Sequence, residues 1–312
     1  MSVDPIDVPV LLTARPAHGE AKPLSTGEFW ALMQLVGAPQ RLLELDEPGL
    51  GAVTGYPEGE CSRIRALLAR GPELTEARQR YGESGIRLVS CYDEAYPTRV
   101  IERLGSAAPP LLYVAGEVGL LAADGLGVVG SRNVSREAMQ VAEDAGRHAA
   151  EQGVAVVSGA ARGVDQIAMG GALDAGGSAV GFPADSLERM VAKPEVAGSV
   201  EQGCLCLATP YTPSAGFTVG AAMGRNKLIY AMSSVTLVVA SDDGSGGTWA
   251  GATEALKKRM APVAVWDGPG AGPGNAKLVR MGAAPLQSVQ DVLASGRGGQ
   301  EDSGDEQLRM IF

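Results

Sequence analysis

The chain has 312 residues, room for one large domain and a small one, and its 45% hydrophobic residues, 43 glycines and 4% aromatics predict a sizeable core of small side chains. A formal charge of −10 argues against indiscriminate nucleic-acid binding but leaves room for a local basic groove, because phosphate contacts act at short range in salt. No apolar run reaches the roughly eighteen residues of a membrane helix, the N-terminal MSVDPIDVPV lacks the regions of a signal peptide, and the reading is cytoplasmic with no membrane partner. Four scattered cysteines and two histidines (His18 and His148) imply neither a disulfide framework nor a metal site.

Residues 1–24 are rich in proline and small residues and read as a flexible arm. From 25 to 84 the pattern turns helical in short pieces: Thr26 can cap a helix through Phe29, Leu32, Met33 and Val36, and apolar patches follow at Leu42, Leu43 and Leu45, then at Ile64, Leu67 and Leu68. Pro and Gly breaks between them predict a small helical domain of three or four helices.

Residues 85–295 alternate strands and helices. Residues 85–90 and 111–116 are apolar enough for strands, and Leu126 to Val129 is short and apolar, as a strand buried on both faces should be. Gly130-Ser131-Arg132 follows it, and Ser135 can cap a helix whose Ala138, Val141, Ala142, Ala145 and Ala149 repeat at helical spacing. Val154 to Val157 makes the next strand, closed by Ser158-Gly159-Ala160-Ala161-Arg162-Gly163 before a helix from about Val164. This alternation is the mark of an α/β fold, a parallel sheet with right-handed crossovers, whose ligands sit beyond the strand carboxyl ends. Gly125, Gly127 and Gly130 satisfy GxGxxG, but two of them lie before or within the strand instead of opening the helix, so no dinucleotide cofactor is expected.

Residues 235–267 complete the sheet. Gly246-Gly247-Thr248 at a helix start forms a second candidate phosphate cradle. Residues 296–312 read as a disordered acidic tail ending in an apolar peptide. Gln307, Leu308, Met310 and Phe312 resemble the Q-x-x-L-x-F class of sliding-clamp-binding peptides. The acidic run ending in phenylalanine is also similar to the tail tip of bacterial single-stranded-DNA-binding proteins.

The stretch GIRLVSCYDEAYPTRVIERLGSAAPPLLYVAG, the GSR loop, SGAARGVD to Asp165, Gly171-Ala172-Leu173 with Gly176-Gly177, and Gly224-Arg225-Asn226-Lys227 occur in one order. That ordered set resembles the DNA-processing protein A (DprA/Smf) family over roughly residues 85–267. The resemblance implies an extended Rossmann-like domain that dimerises, binds single-stranded DNA without catalysis, and delivers it to a RecA-type recombinase in recombination or transformation. It implies phosphate contacts from Arg132, Arg162, Arg225, Asn226 and Lys227. The backbone amides of Gly130, Ser131, Ser158, Gly159 and Gly163, at helix starts where phosphate is favoured, fit the same role. Asp165 could instead pair with Arg162. The chain departs from the family at Met169 and Gly170, where a histidine and an arginine are usual, and before Arg225, where Phe217 stands near a missing phenylalanine-proline turn. The family's winged-helix domain is not expected after the core. Gly246-Gly247-Thr248 with Glu254, seven residues after Gly247, also resembles the loop of Lonely Guy-type phosphoribohydrolases. The alternative reading is therefore a nucleotide-binding sensor or N-glycosidic nucleotide hydrolase.

Overall fold

The computed structural model describes residues 3–15 and 21–297; the terminal peptide read at residues 307–312 lies outside them. Six helices come first: α1 (Val8–Thr13), α2 (Thr26–Val36), α3 (Pro39–Glu44), α4 (Glu47–Thr54), α5 (Glu58–Leu68) and α6 (Gly71–Glu83). The sheet region runs β1 (Ile86–Ser90), α7 (Thr98–Leu104), β2 (Leu111–Gly116), β3 (Gly125–Val129), α8 (Arg136–Glu151), β4 (Ala155–Ser158), α9 (Val164–Asp174) and β5 (Ala179–Gly181). It continues with α10 (Leu187–Val191), α11 (Pro194–Glu201), β6 (Leu205–Thr209), α12 (Val219–Met232), β7 (Val235–Val238), α13 (Gly246–Lys258), β8 (Val263–Trp266), α14 (Asn275–Arg280), β9 (Ala284–Leu286) and α15 (Val292–Arg297).

The strands form one sheet in the order β1-β2-β6-β5-β4-β3-β7-β8-β9. Seven strands from β6 to β9 run parallel, and β1 and β2 add antiparallel at one edge. The alternation of strand side chains fills both faces. Leu126, Val128, Val156 and Tyr113 point into one core, while Val129, Val157, Leu112 and Val114 point into the other. This is the α/β Rossmann-like sheet with an N-terminal helical unit that the sequence implies. No helix among the described residues is long and apolar enough to cross a membrane.

A third core lies within the N-terminal helices, around Phe29, Leu32, Leu42, Leu50, Ile64 and Leu67. The loose arm expected for residues 1–24 is corrected where the structure describes it. In α1, Val8 and Leu12 enter the helical core and Val10 and Leu11 enter the core of the sheet. Pro9 lies in the first turn, where its missing N–H costs nothing, so the proline that reads as a helix breaker starts this one. Arg70 donates to the carbonyls of Leu11 and Ala14 and fixes the end of α1. The cap of α2 is Ser25 and not Thr26: Ser25 Oγ accepts from Glu28 N at 3.3 Å, and the Glu28 carboxylate accepts from Ser25 N at 2.6 Å.

The chain leaves β3 toward β4, β5 and β6, and leaves β7 the opposite way toward β8 and β9. The carboxyl ends of β3 and β7 therefore flank the topological switch point, the place where open α/β sheets bind ligands. Asn275 braces this edge from below. Its amide donates to Val239 O and Trp266 O, both at 2.9 Å, and its Oδ1 accepts from Ser241 N at 2.9 Å.

Candidate nucleic-acid interface

The GSR loop leaves β3 at the switch point and is fastened on both sides. Ser131 N donates to Ala240 O at 2.9 Å, beyond β7, and Ser131 O accepts from Val164 N at 3.3 Å, at the start of α9. Gly163 has φ +92, and a Cβ there would stand 2.5 Å from Ser131 O, so only glycine lets the β4 loop lie this close to the GSR loop. Arg132 and Arg162 project outward and are exposed. The Arg132 guanidinium lies over the Phe217 ring, 5.1 Å from its centroid, and Arg162 donates to Asn133 Oδ1 at 3.3 Å.

Between these loops opens a crevice of about 700 Å³ lined by Arg132, Asn133, Met139, Arg162, Gln166 and Ile167 among others. That volume is within the range of small-molecule sites and its mouth carries two cations. A tighter cavity of about 50 Å³ lies between α1, α6 and β2, and none of the motif loops reaches it. The crevice is the candidate site.

Other residues singled out from the sequence have different environments. Ser158 is fully buried, and its Oγ donates to Val128 O at 2.5 Å, so its hydroxyl is spent inside the fold. Arg225 does not stand on a loop or at a helix start but within α12. Its side chain is 5% exposed, with Nη1 3.8 Å from Asp165 Oδ2. Asp165 is thus the partner of Arg225, while Arg162 takes Asn133.

Burial pushes the Asp165 carboxyl up to about 6, and Arg225 and the backbone amides of Ala161, Gly159 and Gly130 draw it back toward ionisation. The amides of Gly130 and Gly159, read from the sequence as phosphate donors, therefore face an internal carboxylate in the first turn of α9, where an anion is favoured for the same reason a phosphate would be. Burial lowers the Arg225 pKa and the Asp165 charge opposes it. Arg225 Nε and Tyr230 OH are buried without a hydrogen-bond partner.

A second cluster sits where α12 meets α13. Asn226 Nδ2 donates to Gly247 O at 3.2 Å, which brings Asn226, Gly246, Gly247 and Thr248 together. Lys227 lies 3.4 Å from Glu254 and Lys258 2.7 Å from the same carboxylate. Burial pushes the Glu254 pKa up, but Lys258 and Lys227 together hold it below its ordinary value.

The family model described as DNA recombination-mediator protein A matches residues 87–296. The chain belongs to that family. Its structure is similar to DNA processing protein A from Streptococcus pneumoniae, with a TM-score of 0.66 and 22% identity over 88% of this chain and 98% of that one. It is also similar to DNA processing protein A from Helicobacter pylori, with a TM-score of 0.55 and 22% identity over 67% and 94% of the two chains. The Helicobacter structure concerns that protein's single-stranded-DNA binding mode. Comparison with curated proteins gives no match.

The departures from the family pattern fall on different sides of α9. Met169 is buried in the core, so the apolar residue is absorbed into packing. A Cβ at Gly170 would meet nothing within 4 Å, so the missing arginine leaves open space. Sequence reasoning assigned no role to Asn133, Met139, Gln166 or Phe217. Only Phe217 carried a signal, as an aromatic in an otherwise small and polar loop. Its backbone is held there by Asp185, whose Oδ1 accepts from Phe217 N at 3.1 Å.

Proposed function

We propose that the chain binds single-stranded DNA along the carboxyl edge of its sheet and delivers the strand to a RecA-type recombinase, without catalysing a reaction and acting as a homodimer. The observation that carries this reading is the pairing of exposed Arg132 with exposed Phe217 at 5.1 Å, with Arg132 and Arg162 both lining the crevice. Unpaired bases expose faces that stack on aromatic side chains for about 1–3 kcal/mol each, and the adjacent cations meet the phosphates between them. A duplex offers no such free faces. With a chain charge of −10, attraction to DNA has to come from this local arrangement, and it falls with salt.

The alternative of an N-glycosidic hydrolase is weakened by Glu254, whose carboxylate is already shared by Lys227 and Lys258 and is a poor base below its ordinary pKa. Residues 307–312 are proposed as the peptide that engages a sliding clamp or another replication protein, and their deletion should abolish retention of that partner.

The test is binding of a labelled oligonucleotide of about twenty nucleotides, several crevice lengths on the scale of single-strand sites, measured across a salt series. Tight binding that weakens with salt and is lost in Arg132→Ala/Phe217→Ala supports the reading. Absence of oligonucleotide binding at low salt, with saturation by a mononucleotide, replaces it with a nucleotide sensor.

A further inference from the structure

Arg225 resembles a DNA-contact residue in sequence but is sealed inside the protein. We infer that Arg225 and Asp165 form a buried positioning pair that holds the loops carrying Arg132 and Arg162, and that residue 159 is glycine to make room for the Arg225 guanidinium. The inference rests on the reading above, in which Arg132 and Arg162 meet the phosphates.

Three observations converge on this pair. First, the Arg225 side chain is 5% exposed and that of Asp165 9%, so the guanidinium is closed to a phosphate in this fold. Second, a Cβ on Gly159 would lie 1.4 Å from Arg225 Nη1, 2.2 Å from Cζ and 2.4 Å from Nη2. All three nearest atoms belong to one side chain. Gly159 is not among the positive-φ glycines, so its backbone admits alanine, and the collision is with the guanidinium alone. Third, Asp165 lies in the first turn of α9, directly after Gly163 and Val164, where the β4 loop meets the GSR loop. Those loops are tied to each other through Val164 N and Ser131 O at 3.3 Å, and Gln166 N returns to Ala161 O at 3.1 Å. A displaced guanidinium therefore moves both exposed arginines.

The chemistry is that of a strut. Asp165 at the start of α9 and Arg225 in α12 join two helices whose loops carry the interface, and neither charge is offered to solvent. Arg225 Nε makes no hydrogen bond, and its Nη1 lies 3.8 Å from Asp165 Oδ2, so polar contacts hold the guanidinium only loosely in its place. A single methyl group at residue 159 is then enough to dislodge it.

The test uses the full chain with the same oligonucleotide, plus amide hydrogen exchange without DNA. Gly159→Ala is the first variant. Arg225→Ala/Asp165→Asn is the second, because it removes both charges and strands neither. Gly159→Ala is expected to weaken DNA binding about tenfold, the scale of coupling between residues in contact. Exchange should quicken at residues 130–133 and 159–163. Adding Gly159→Ala to the double variant should change nothing further, because the obstructing group is gone.

A salt slope shallower by about 0.7 in the double variant, the value of one single-strand phosphate contact, with wild-type exchange at residues 130–133 and 159–163, would overturn the inference in favour of direct contact. Wild-type exchange in Gly159→Ala, or a full additional loss in the triple variant, would overturn it as well. If the wild-type chain binds no oligonucleotide, the DNA reading fails on its own, and the exchange measurements still decide whether the pair positions the loops.

Discussion

Two groups of motif residues leave the same edge of the sheet and end in opposite electrostatic states. At the β3 and β4 loops, Arg132 lies on an aromatic ring and Arg162 on a neutral amide, so both keep their charge for a ligand. Where α12 meets α13, Lys227 and Lys258 share the carboxylate of Glu254, and Arg225 faces Asp165 in the interior. The sequence presents Arg132, Arg162, Arg225 and Lys227 as equivalent members of one motif set. The fold divides them by partner, and only an unpaired, exposed cation gains from meeting a phosphate without first giving up another interaction.

The largest effect that tests this division is on DNA affinity. Arg132→Ala/Arg162→Ala should weaken oligonucleotide binding by at least about a hundredfold at low salt. The log–log salt slope should become shallower by about 0.7 for each phosphate that is no longer neutralised. Lys227→Ala should bind within about twofold of wild type, since its partner already neutralises it. Fluorescence anisotropy in a salt series measures both variants, and equal losses would break the comparison.

Next in size is an arginine that serves only the fold. Arg103 of α7 donates to the carbonyls of Ala231 at 3.0 Å, Ser233 at 2.5 Å and Tyr230 at 3.4 Å, closing the carboxyl end of α12, where helix carbonyls lack partners. Arg103→Ala should lower unfolding free energy by about 1–3 kcal/mol, the cost of stranding such groups. Its DNA salt slope should stay at the wild-type value. Denaturant unfolding read beside anisotropy separates the two roles, and a changed slope would place Arg103 at the interface.

The architecture was legible because β3 and β4 are short apolar runs closed by glycine or serine, and because the helix between them repeats its apolar residues at helical spacing. Arg132 and Arg162 could be read from the same pattern, since the residues after a strand's carboxyl end must lie at the ligand edge. Residues 5–13 misled: proline and small side chains suggest a loop, while the burial of Val8 and Leu12 on one side and Val10 and Leu11 on the other depends on two cores that local sequence cannot show. The fate of Arg225 was equally hidden, because it hinges on the side chain that Gly159 lacks, 66 residues away in the chain. Phe217 reaches Arg132 from a loop on the far side of β6, a meeting that no spacing encodes.

The smallest effect comes from releasing the paired cations. Glu254→Gln removes the carboxylate shared by Lys227 and Lys258 and should strengthen oligonucleotide binding by about two- to threefold, the scale of a partly exposed pair. Burial pushes the Glu254 pKa up, but the two lysines hold it below its ordinary value in the folded chain. The stabilising contribution of this carboxylate is therefore present above the ordinary carboxylate range and is lost as pH falls through the folded value. Protonation there does to wild type what glutamine does permanently. The affinity gap between wild type and Glu254→Gln should accordingly close as pH falls through that range and stay open at neutral pH. Anisotropy titrations at matched ionic strength measure it. A variant that binds more weakly than wild type at neutral pH would mean that the Lys227–Glu254 pair shapes the interface instead of withholding charge from it.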